Sequence, residues 1–141
     1  MTQNQRFMGA SDHVTSSSEV FAGHTILMVE DDLLIATATA EMLTSLGASE
    51  VSVATTVGAA LEFLEANDPT LAFLDANLNR ETSVPVAQAC VAAEVPIILT
   101  TGYAETDTSL AVFPPAPICT KPYSVEKLRT AYHQLVGAKT A

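Results

Sequence analysis

The sequence predicts an α/β protein with a doubly wound, five-stranded parallel sheet flanked by helices. After His24, short apolar runs alternate with helical patterns about five times, and this alternation is typical of parallel strands joined by helical crossovers. The runs are continuously apolar, which indicates strands buried on both faces. The chain has 141 residues, 48% of them hydrophobic, so it fits one domain with a sizeable core.

Five apolar runs are the candidate strands. Each is short, and the clearest of them stop abruptly at polar residues, which is typical of strands that end at the edge of a sheet. Val51 and Ile118 begin the two weaker runs. In chain order the candidate strands are 26–29, 51–54, 71–74, 95–99 and 118–120.

Helices are predicted between and after these strands. Gly47 stands where a helix C-terminal cap is expected and Ser124 where an N-cap is expected. An Ala- and Val-rich helix is predicted over 84–93, and a short helix over 104–112 that Pro114 and Pro115 end, so the fourth helix is expected to be short or irregular. The other helices show stripes at helical spacing: Ile35, Ala38, Met42 and Leu46; Val57, Ala60, Leu61 and Leu64; and Val125, Leu128, Tyr132 and Leu135.

The ends of the chain lack these patterns. Residues 1–23 are rich in Ser, Gln, Thr and Asn, and their apolar residues have no periodicity, which predicts a flexible N-terminal tail. The domain is therefore expected over 24–137, followed by a C-terminal tail over 138–141. Because little chain follows the last helix, we expect a single-domain protein with no separate output domain.

Charge and composition exclude several classes of function. With 6 Lys+Arg against 16 Asp+Glu, the net charge is −10, which disfavours binding to nucleic-acid phosphates and to anionic membrane surfaces. No apolar run approaches the roughly 18 residues of a membrane span, and no secretory signal is evident. Cys90 and Cys119 make neither a disulfide framework nor a metal site. These observations favour a cytoplasmic protein with reduced thiols.

Polar residues follow four of the predicted strands. Acidic residues 30–32 follow the first, Asp75 the third, Thr101 the fourth and Lys121 the fifth. Right-handed crossovers place the carboxyl ends of parallel strands at one edge, so we expect these side chains to converge there. Clustered carboxylates repel one another unless a cation lies between them, and a small hard cation such as Mg²⁺ meets that need. Lys and Thr suit phosphate oxygens, so one carboxylate could attack phosphorus and form an acyl phosphate.

Four segments in this order carry a family resemblance: ILMVEDD, AFLDANL, PIILTTGY and CTKPY. Together they resemble the receiver domain of two-component response regulators, over about residues 24 to 137. Any one segment alone is weak, since acidic pairs and Lys-Pro are common in loops, but four in order after predicted strands are specific. The resemblance implies a flavodoxin-like sheet with strand order 2-1-3-4-5.

The resemblance implies a phosphoacceptor and a metal site. Asp75 matches the phosphoacceptor aspartate, and Glu30 and Asp31 match the acidic pair that binds Mg²⁺ or Mn²⁺, Asp31 directly and Glu30 through water. Asn77 matches the residue whose backbone carbonyl binds the metal. Asp32 lies one position beyond the pair and is interpreted as a solvated loop residue.

The resemblance also implies a phosphate-binding switch. Thr101 matches the switch Thr and Lys121 the phosphate-binding Lys, and the bond between Lys121 and Pro122 is expected to be cis. Ile118 departs from the pattern, because it occupies the position where many receivers carry an aromatic switch residue. The coupling of Thr101 to an aromatic side chain is therefore in question.

The resemblance narrows the expected partners. The loop after Asp75 lacks the common Met-Pro and Gly pattern, and TGY follows the fourth strand, which resembles stand-alone receivers that accompany sensor histidine kinases of the HWE or phytochrome type. A histidine phosphotransfer protein is the other expected donor, an unknown protein the downstream target, and a homodimer a further expectation. Asn77 and Tyr103 match positions that tune dephosphorylation, and we predict that Tyr103 shields the acyl phosphate from water.

Three function classes remain open from the sequence. The leading hypothesis is a phosphoacceptor switch, not an enzyme, with slow intrinsic autodephosphorylation, which acts through protein–protein contact. The alternative is a Mg²⁺-dependent phosphohydrolase with an Asp nucleophile. The segment 74–77 slightly resembles the Asp-x-Asp motif of haloacid-dehalogenase-type phosphatases, but Asn77 replaces the second Asp. A receiver-like protein that binds a partner constitutively is the third class, although its acidic pair, Asp75, Thr101 and Lys121 are intact.

Overall fold

The computed structural model describes residues 19–78, 81–102 and 108–140. In chain order it contains β1 Thr25–Val29, α1 Leu33–Ser45, β2 Glu50–Ala54, α2 Val57–Ala66, β3 Leu71–Asp75, β4 Asn77–Leu78, β5 Glu81–Thr82, α3 Val84–Ala92, β6 Ile97–Thr101, a 3₁₀ helix Thr108–Val112, β7 Ile118–Thr120 and α4 Val125–Thr140.

Five parallel strands form the central sheet in the order β2-β1-β3-β6-β7. Counted among the sheet strands alone, this is the predicted order 2-1-3-4-5, so the predicted fold class is confirmed. Every residue of β3 and β6 is buried, as their unbroken apolar character predicts for strands covered on both faces. The small antiparallel pair β4–β5 lies outside this sheet and was not predicted.

Alternate residues of the strands face two separate core layers. Leu27, Leu74 and Leu99 lie in one layer with buried residues of α2 and α3. The neighbouring strand residues Met28 and Phe73 lie in the other layer, with buried residues of α1 and α4. The helices therefore cover the sheet on both sides, as the doubly wound prediction requires.

The face of α1 that enters the core is shifted by one residue from most of the predicted stripe, although Leu46 at the end of the stripe is buried as predicted. Ala36, Thr39 and Leu43 are its buried positions, whereas Ala38 of the predicted stripe is exposed. The Thr39 hydroxyl donates to the Ile35 carbonyl at 2.8 Å, so this polar side chain can be buried without an unpaired group. Small side chains at two of the three positions let the helix pack close to the sheet.

The packed body starts before the predicted boundary at residue 24. Phe21 is fully buried in the core layer of α1 and α4, and its N–H donates to the Leu46 carbonyl at 2.9 Å. Residues 19–23, assigned to the tail from sequence, therefore pack on the domain; residues 1–18 lie outside the described residues. At the other end α4 continues to Thr140, so the backbone of 138–140 is helical rather than a tail.

The remaining sequence expectations concern the region between β6 and β7. The five-residue 3₁₀ helix Thr108–Val112 agrees with the expected short helix, and 103–107 lie outside the described residues.

Cys90 and Cys119 are buried, and burial raises the pKa of both thiols to about 11. In the described ranges, no helix combines the length and the apolar character needed to cross a membrane.

Candidate functional site

The predicted polar residues converge at the carboxyl edge of the sheet. Glu30 follows β1, Asp75 ends β3, Thr101 ends β6 and Lys121 follows β7. Asp75 pairs with Thr100 in the parallel register of β3 and β6, which places the phosphoacceptor candidate beside the end of β6. The sheet topology therefore brings together residues that lie up to 91 positions apart, from Glu30 to Lys121.

Three carboxylates form a compact acidic cluster at this edge. Each of Glu30, Asp31 and Asp75 offers an oxygen, and these oxygens all lie within 4.8 Å of one another. Glu30 and Asp75 are only 0% and 2% exposed, and Asp31 is half-buried. Buried carboxylates this close repel one another unless cations lie between them. A set of hard oxygen donors in partial contact with solvent fits Mg²⁺ or Mn²⁺.

Lys121 supplies a positive charge to this cluster. Its Nζ lies 2.9 Å from Glu30 Oε1 and donates to Asp75 Oδ2 at 3.0 Å. Burial alone would lower the pKa of Lys121, but the hydrogen bonds and charges of Glu30 and Asp75 outweigh burial and raise the pKa above its ordinary value. Lys121 therefore remains a positive charge beside Asp75.

For Glu30, in contrast to Lys121, burial outweighs the hydrogen bonds and sets the direction of the pKa change. Burial is the largest cause that raises its pKa to about 7, and the charge of Asp75 adds to the rise, while the hydrogen bond from Lys121 opposes it. The Asp32 N–H also donates to Glu30 Oε2, at 3.2 Å. A metal ion would stabilise the charged form of the Glu30 carboxylate, because the ion competes with the proton for its oxygens.

Asp32 has a structural role that the sequence interpretation missed. The prediction was a solvated loop residue, but its Oδ1 accepts from the N–H groups of Leu34 and Ile35 at 3.0 and 3.2 Å. It is therefore the N-cap of α1, although its side chain is exposed. Because Asp32 caps the helix, the acidic pair before it is held at a defined place above the sheet.

Two neighbours fix the position of Asp75. The Asn77 N–H donates to Asp75 Oδ1 at 3.2 Å, and the Ser83 hydroxyl donates to the Asp75 backbone carbonyl at 2.7 Å. Asn77 was predicted as a site residue, whereas Ser83 was missed. Its signal in the sequence was weak, because Ser83 lies eight residues after Asp75 in a loop without a familiar pattern.

The remaining predicted residues surround this centre. Thr101 is fully buried, and its carbonyl accepts the Lys121 N–H at 2.8 Å. The bond between Lys121 and Pro122 is cis, in agreement with the expectation. Ile118 is half-buried and packs against the core layer that contains Leu110 and Phe113. Tyr103 lies outside the described residues.

Tyr123 is a further residue near the centre that sequence reasoning did not single out. Burial is the main cause that raises the pKa of its hydroxyl far above the ordinary value, and the charges of Glu30 and Asp75 add to the rise. Tyr123 therefore remains a neutral phenol. Its place directly after the Lys-Pro pair, within the CTKPY segment, was the available signal.

The raised pKa of Glu30 predicts a pH dependence of folding in the absence of metal. The folded protein holds the Glu30 proton up to about pH 7, whereas an ordinary Glu loses it near 4.5. The stabilisation is therefore fully present below pH 4.5 and is lost as the pH rises through about 7. We expect the free energy of unfolding of Glu30→Gln, measured with denaturant in chelator, to vary less over this interval than that of the wild type. Parallel curves for the two proteins would contradict the assignment.

Comparisons with known proteins agree with this geometry. The family model of the response regulator receiver domain matches residues 26–133. The solution structure of SdrG from Sphingomonas melonis Fr1 is 34% identical, with a TM-score of 0.69, covering 80% of this chain and 96% of that one. The receiver (REC) domain of the PhyR response regulator from Erythrobacter litoralis shares the fold at 24% identity and a TM-score of 0.71, covering 82% of this chain and 92% of that one.

A third solved structure shares the fold, and the curated proteins add no match. The signal receiver domain of a modulated diguanylate cyclase from Desulfovibrio desulfuricans G20 has a TM-score of 0.70 at 24% identity, covering 83% of this chain and 96% of that one. No curated protein matches the chain. The family match spans most of the chain and agrees with the sheet order and the acidic edge. The chain therefore belongs to the response regulator receiver domain family.

Proposed function

We propose that this receiver domain accepts a phosphoryl group on Asp75 from a histidine kinase or a histidine phosphotransfer protein and signals by protein–protein contact. The proposal rests on one observation: the buried Asp75 carboxylate lies close to two further carboxylates and forms an ion pair with Lys121. An ordinary structural ion pair does not require a third carboxylate beside the two that Lys121 contacts. A site that gathers a metal and a phosphoryl group does.

The phosphoryl transfer is a displacement at phosphorus. A carboxylate oxygen of Asp75 forms the new bond, the bond from phosphorus to the donor imidazole nitrogen breaks, and the imidazole retains the electron pair. The Asn77 N–H and Lys121 Nζ hold the two carboxylate oxygens in place before attack. As charge moves to the phosphoryl oxygens, Lys121 follows it, because its ammonium group is a mobile point charge.

Glu30, Asp31 and Asp75 would hold the metal through their side chains, and Asn77 through its backbone carbonyl. When bound, Mg²⁺ or Mn²⁺ neutralises charge on the phosphoryl oxygens and orients the group for in-line attack. Lys121, within ion-pair distance of both Glu30 and Asp75, offsets part of the negative charge of this cluster.

The switch follows from the added charge. We assign Thr101 as the donor of a hydroxyl hydrogen bond to a phosphoryl oxygen, so that phosphorylation shifts the population of the surface near β6 and β7. Ile118 replaces the usual aromatic residue and packs with the layer that contains Leu110 and Phe113. The conformational change that signals phosphorylation would therefore alter the packing of Ile118 against this layer. Asn77 and Tyr103 remain the predicted residues for tuning dephosphorylation.

The partners follow from surface chemistry and from the family. Leu33 and Leu34 are 62% and 83% exposed in the first turn of α1, which follows the acidic pair and the N-cap Asp32. They offer an apolar contact to the donor protein beside Asp75. A sensor kinase of the HWE or phytochrome type, a cytoplasmic location and a homodimer through surfaces near β7 remain parts of this proposal.

Phosphoryl uptake tests the proposal directly. The full chain is treated with acetyl phosphate and Mg²⁺, and its intact mass is measured. We expect a mass gain of one phosphoryl group, no gain in the presence of chelator, and no continuing turnover of an aryl phosphate. Turnover without a lasting adduct would instead indicate a phosphohydrolase.

Beryllofluoride extends the test, since SdrG from Pseudomonas melonis Fr1, 33% identical, has a solved BeF3-activated conformation. No spectral response here would favour constitutive partner binding.

Removal of the lysine charge should strongly slow the reaction. In Lys121→Ala, the phosphoryl oxygens lose a charged donor within the site, and we expect phosphorylation by acetyl phosphate at saturating Mg²⁺ to slow by about 10²–10³-fold. The rate is followed by intact mass against time. Arg129→Ala is the matched control, because it also removes one positive charge and Arg129 pairs with Glu126 at 3.1 Å on α4. Wild-type rates in Lys121→Ala would remove the proposed role.

A further inference from the structure

The hydroxyl of Ser83 is a buried polar group that the phosphotransfer chemistry above does not use. Ser83 is 0% exposed, and its Oγ donates to the backbone carbonyl of Asp75 at 2.7 Å. This bond joins residues eight positions apart and closes the segment that carries the β4–β5 hairpin. A short, fully buried hydrogen bond to the backbone of the phosphoacceptor is a candidate for control of its geometry.

The local sequence explains why this hydroxyl turns inward. Ser83 is the N-cap of α3 but makes no side-chain capping hydrogen bond. An N-cap serine normally accepts from an N–H two or three residues ahead, and here the residue two ahead is Pro85, which has no N–H. The Val84 N–H is accepted by Thr82 Oγ1 at 3.2 Å. The Ser83 hydroxyl makes its hydrogen bond to the Asp75 carbonyl instead.

The same segment positions Asn77. Its N–H donates to Asp75 Oδ1 at 3.2 Å, and Asn77 pairs with Thr82 across the β4–β5 hairpin, one residue before Ser83. Residues 75–77 are thus held at both ends, by the hairpin pairing and by the Ser83 hydrogen bond. This stretch provides both the Asp75 carboxylate and the Asn77 carbonyl of the proposed metal site.

We propose that Ser83 is a positioning residue for the metal: its hydrogen bond to the Asp75 carbonyl fixes the backbone from Asp75 to Asn77 in the conformation that the divalent ion requires. The inference rests on the proposed function, because it concerns the same metal site. Without the hydroxyl, the ion has to order this backbone when it binds. Outer hydrogen bonds of this kind commonly change metal affinity by about 10- to 100-fold.

The test measures the affinity of the full chain for Mg²⁺ alone, by isothermal titration calorimetry. We expect Ser83→Ala and Ser83→Gly to raise the Mg²⁺ dissociation constant about tenfold. Glycine is well tolerated at N-caps, so it carries the test if the alanine variant does not fold. Thr56→Ala is the matched control, because Thr56 caps α2 by accepting the Ala59 N–H at 3.1 Å and belongs to another helix. It should keep the wild-type dissociation constant.

The outcomes separate this inference from the proposed function. A dissociation constant for the Ser83 variants within about twofold of wild type, an equal weakening in Thr56→Ala, or a wild-type chain that does not bind Mg²⁺ would each overturn the positioning role. Near wild-type phosphorylation of the Ser83 variants at saturating Mg²⁺ would support it. If the wild type binds Mg²⁺ through a Ser83-dependent site but never takes up a phosphoryl group, the proposed function fails and the positioning role stands.

Discussion

Asp75→Asn is expected to abolish the phosphoryl adduct while the chain still folds. The amide has nearly the shape of the carboxylate but is not a nucleophile toward phosphorus, so no acyl phosphate can form at this position. Intact mass after treatment with acetyl phosphate and Mg²⁺ should therefore equal the untreated mass. The calorimetric Mg²⁺ affinity should fall as well, since one of the three clustered carboxylates is lost.

Stability provides the control for this variant. The substitution removes one negative charge from a buried group of three carboxylates, while Lys121 retains Glu30 at 2.9 Å. We therefore expect the free energy of unfolding in chelator to stay equal to that of the wild type or to rise. Loss of phosphorylation together with loss of folding would point to a structural role for Asp75. A full phosphoryl adduct in Asp75→Asn would place the phosphoacceptor elsewhere and contradict the proposal.

The sequence predicts the fold and the centre of the site because both follow from where the strands begin and end. Unbroken apolar runs require two covered faces, and parallel strands must end at a common edge. Glu30, Asp75 and Lys121 each come directly at or after a strand end, so their convergence needs no knowledge of loop structure. The short helix before β7 follows likewise from the prolines that end it.

Other features depend on tertiary contacts that no local pattern shows. The buried face of α1 contains Thr39, because its hydroxyl is satisfied within the helix, and a hydrophobic stripe cannot indicate that. Ser83 belongs to the site because the β4–β5 hairpin brings it back to the Asp75 carbonyl and its hydroxyl makes no bond to its own helix. Phe21 stands with Val20 and Ala22 in a short apolar group that has no strand or helix periodicity, and its burial depends on a core layer built by distant elements.

Phe21→Ala is expected to lower the free energy of unfolding by about 3 to 5 kcal/mol, since deletion of a fully buried aromatic side chain leaves a cavity. The Phe21 ring meets those of Phe73 and Tyr132 edge-on, with centroids 6.0 and 5.1 Å away. Its backbone is anchored to the end of α1, where Gly47 has φ +104° and a Cβ would lie 3.2 Å from Ala22. The N-terminal segment thus closes the core layer between α1 and α4.

Chemical denaturation of Phe21→Ala and Phe63→Ala compares the loss of stability at a fully buried and at a partly buried ring, because both variants delete the same side chain. Phe63 on α2 is only partly buried against the other core layer, so the same deletion should cost clearly less there. Equal, small losses in both variants would mean that Phe21 does not occupy the core. Phe21 is hydrogen-bonded to Leu46 at the end of α1 and to His24 before the start of β1, whereas the acidic residues lie at the other end of each element. Phosphorylation of the folded Phe21→Ala fraction should therefore remain normal. Stability and phosphoryl uptake are then separable properties of this receiver, the first depending on a residue outside the predicted domain boundary.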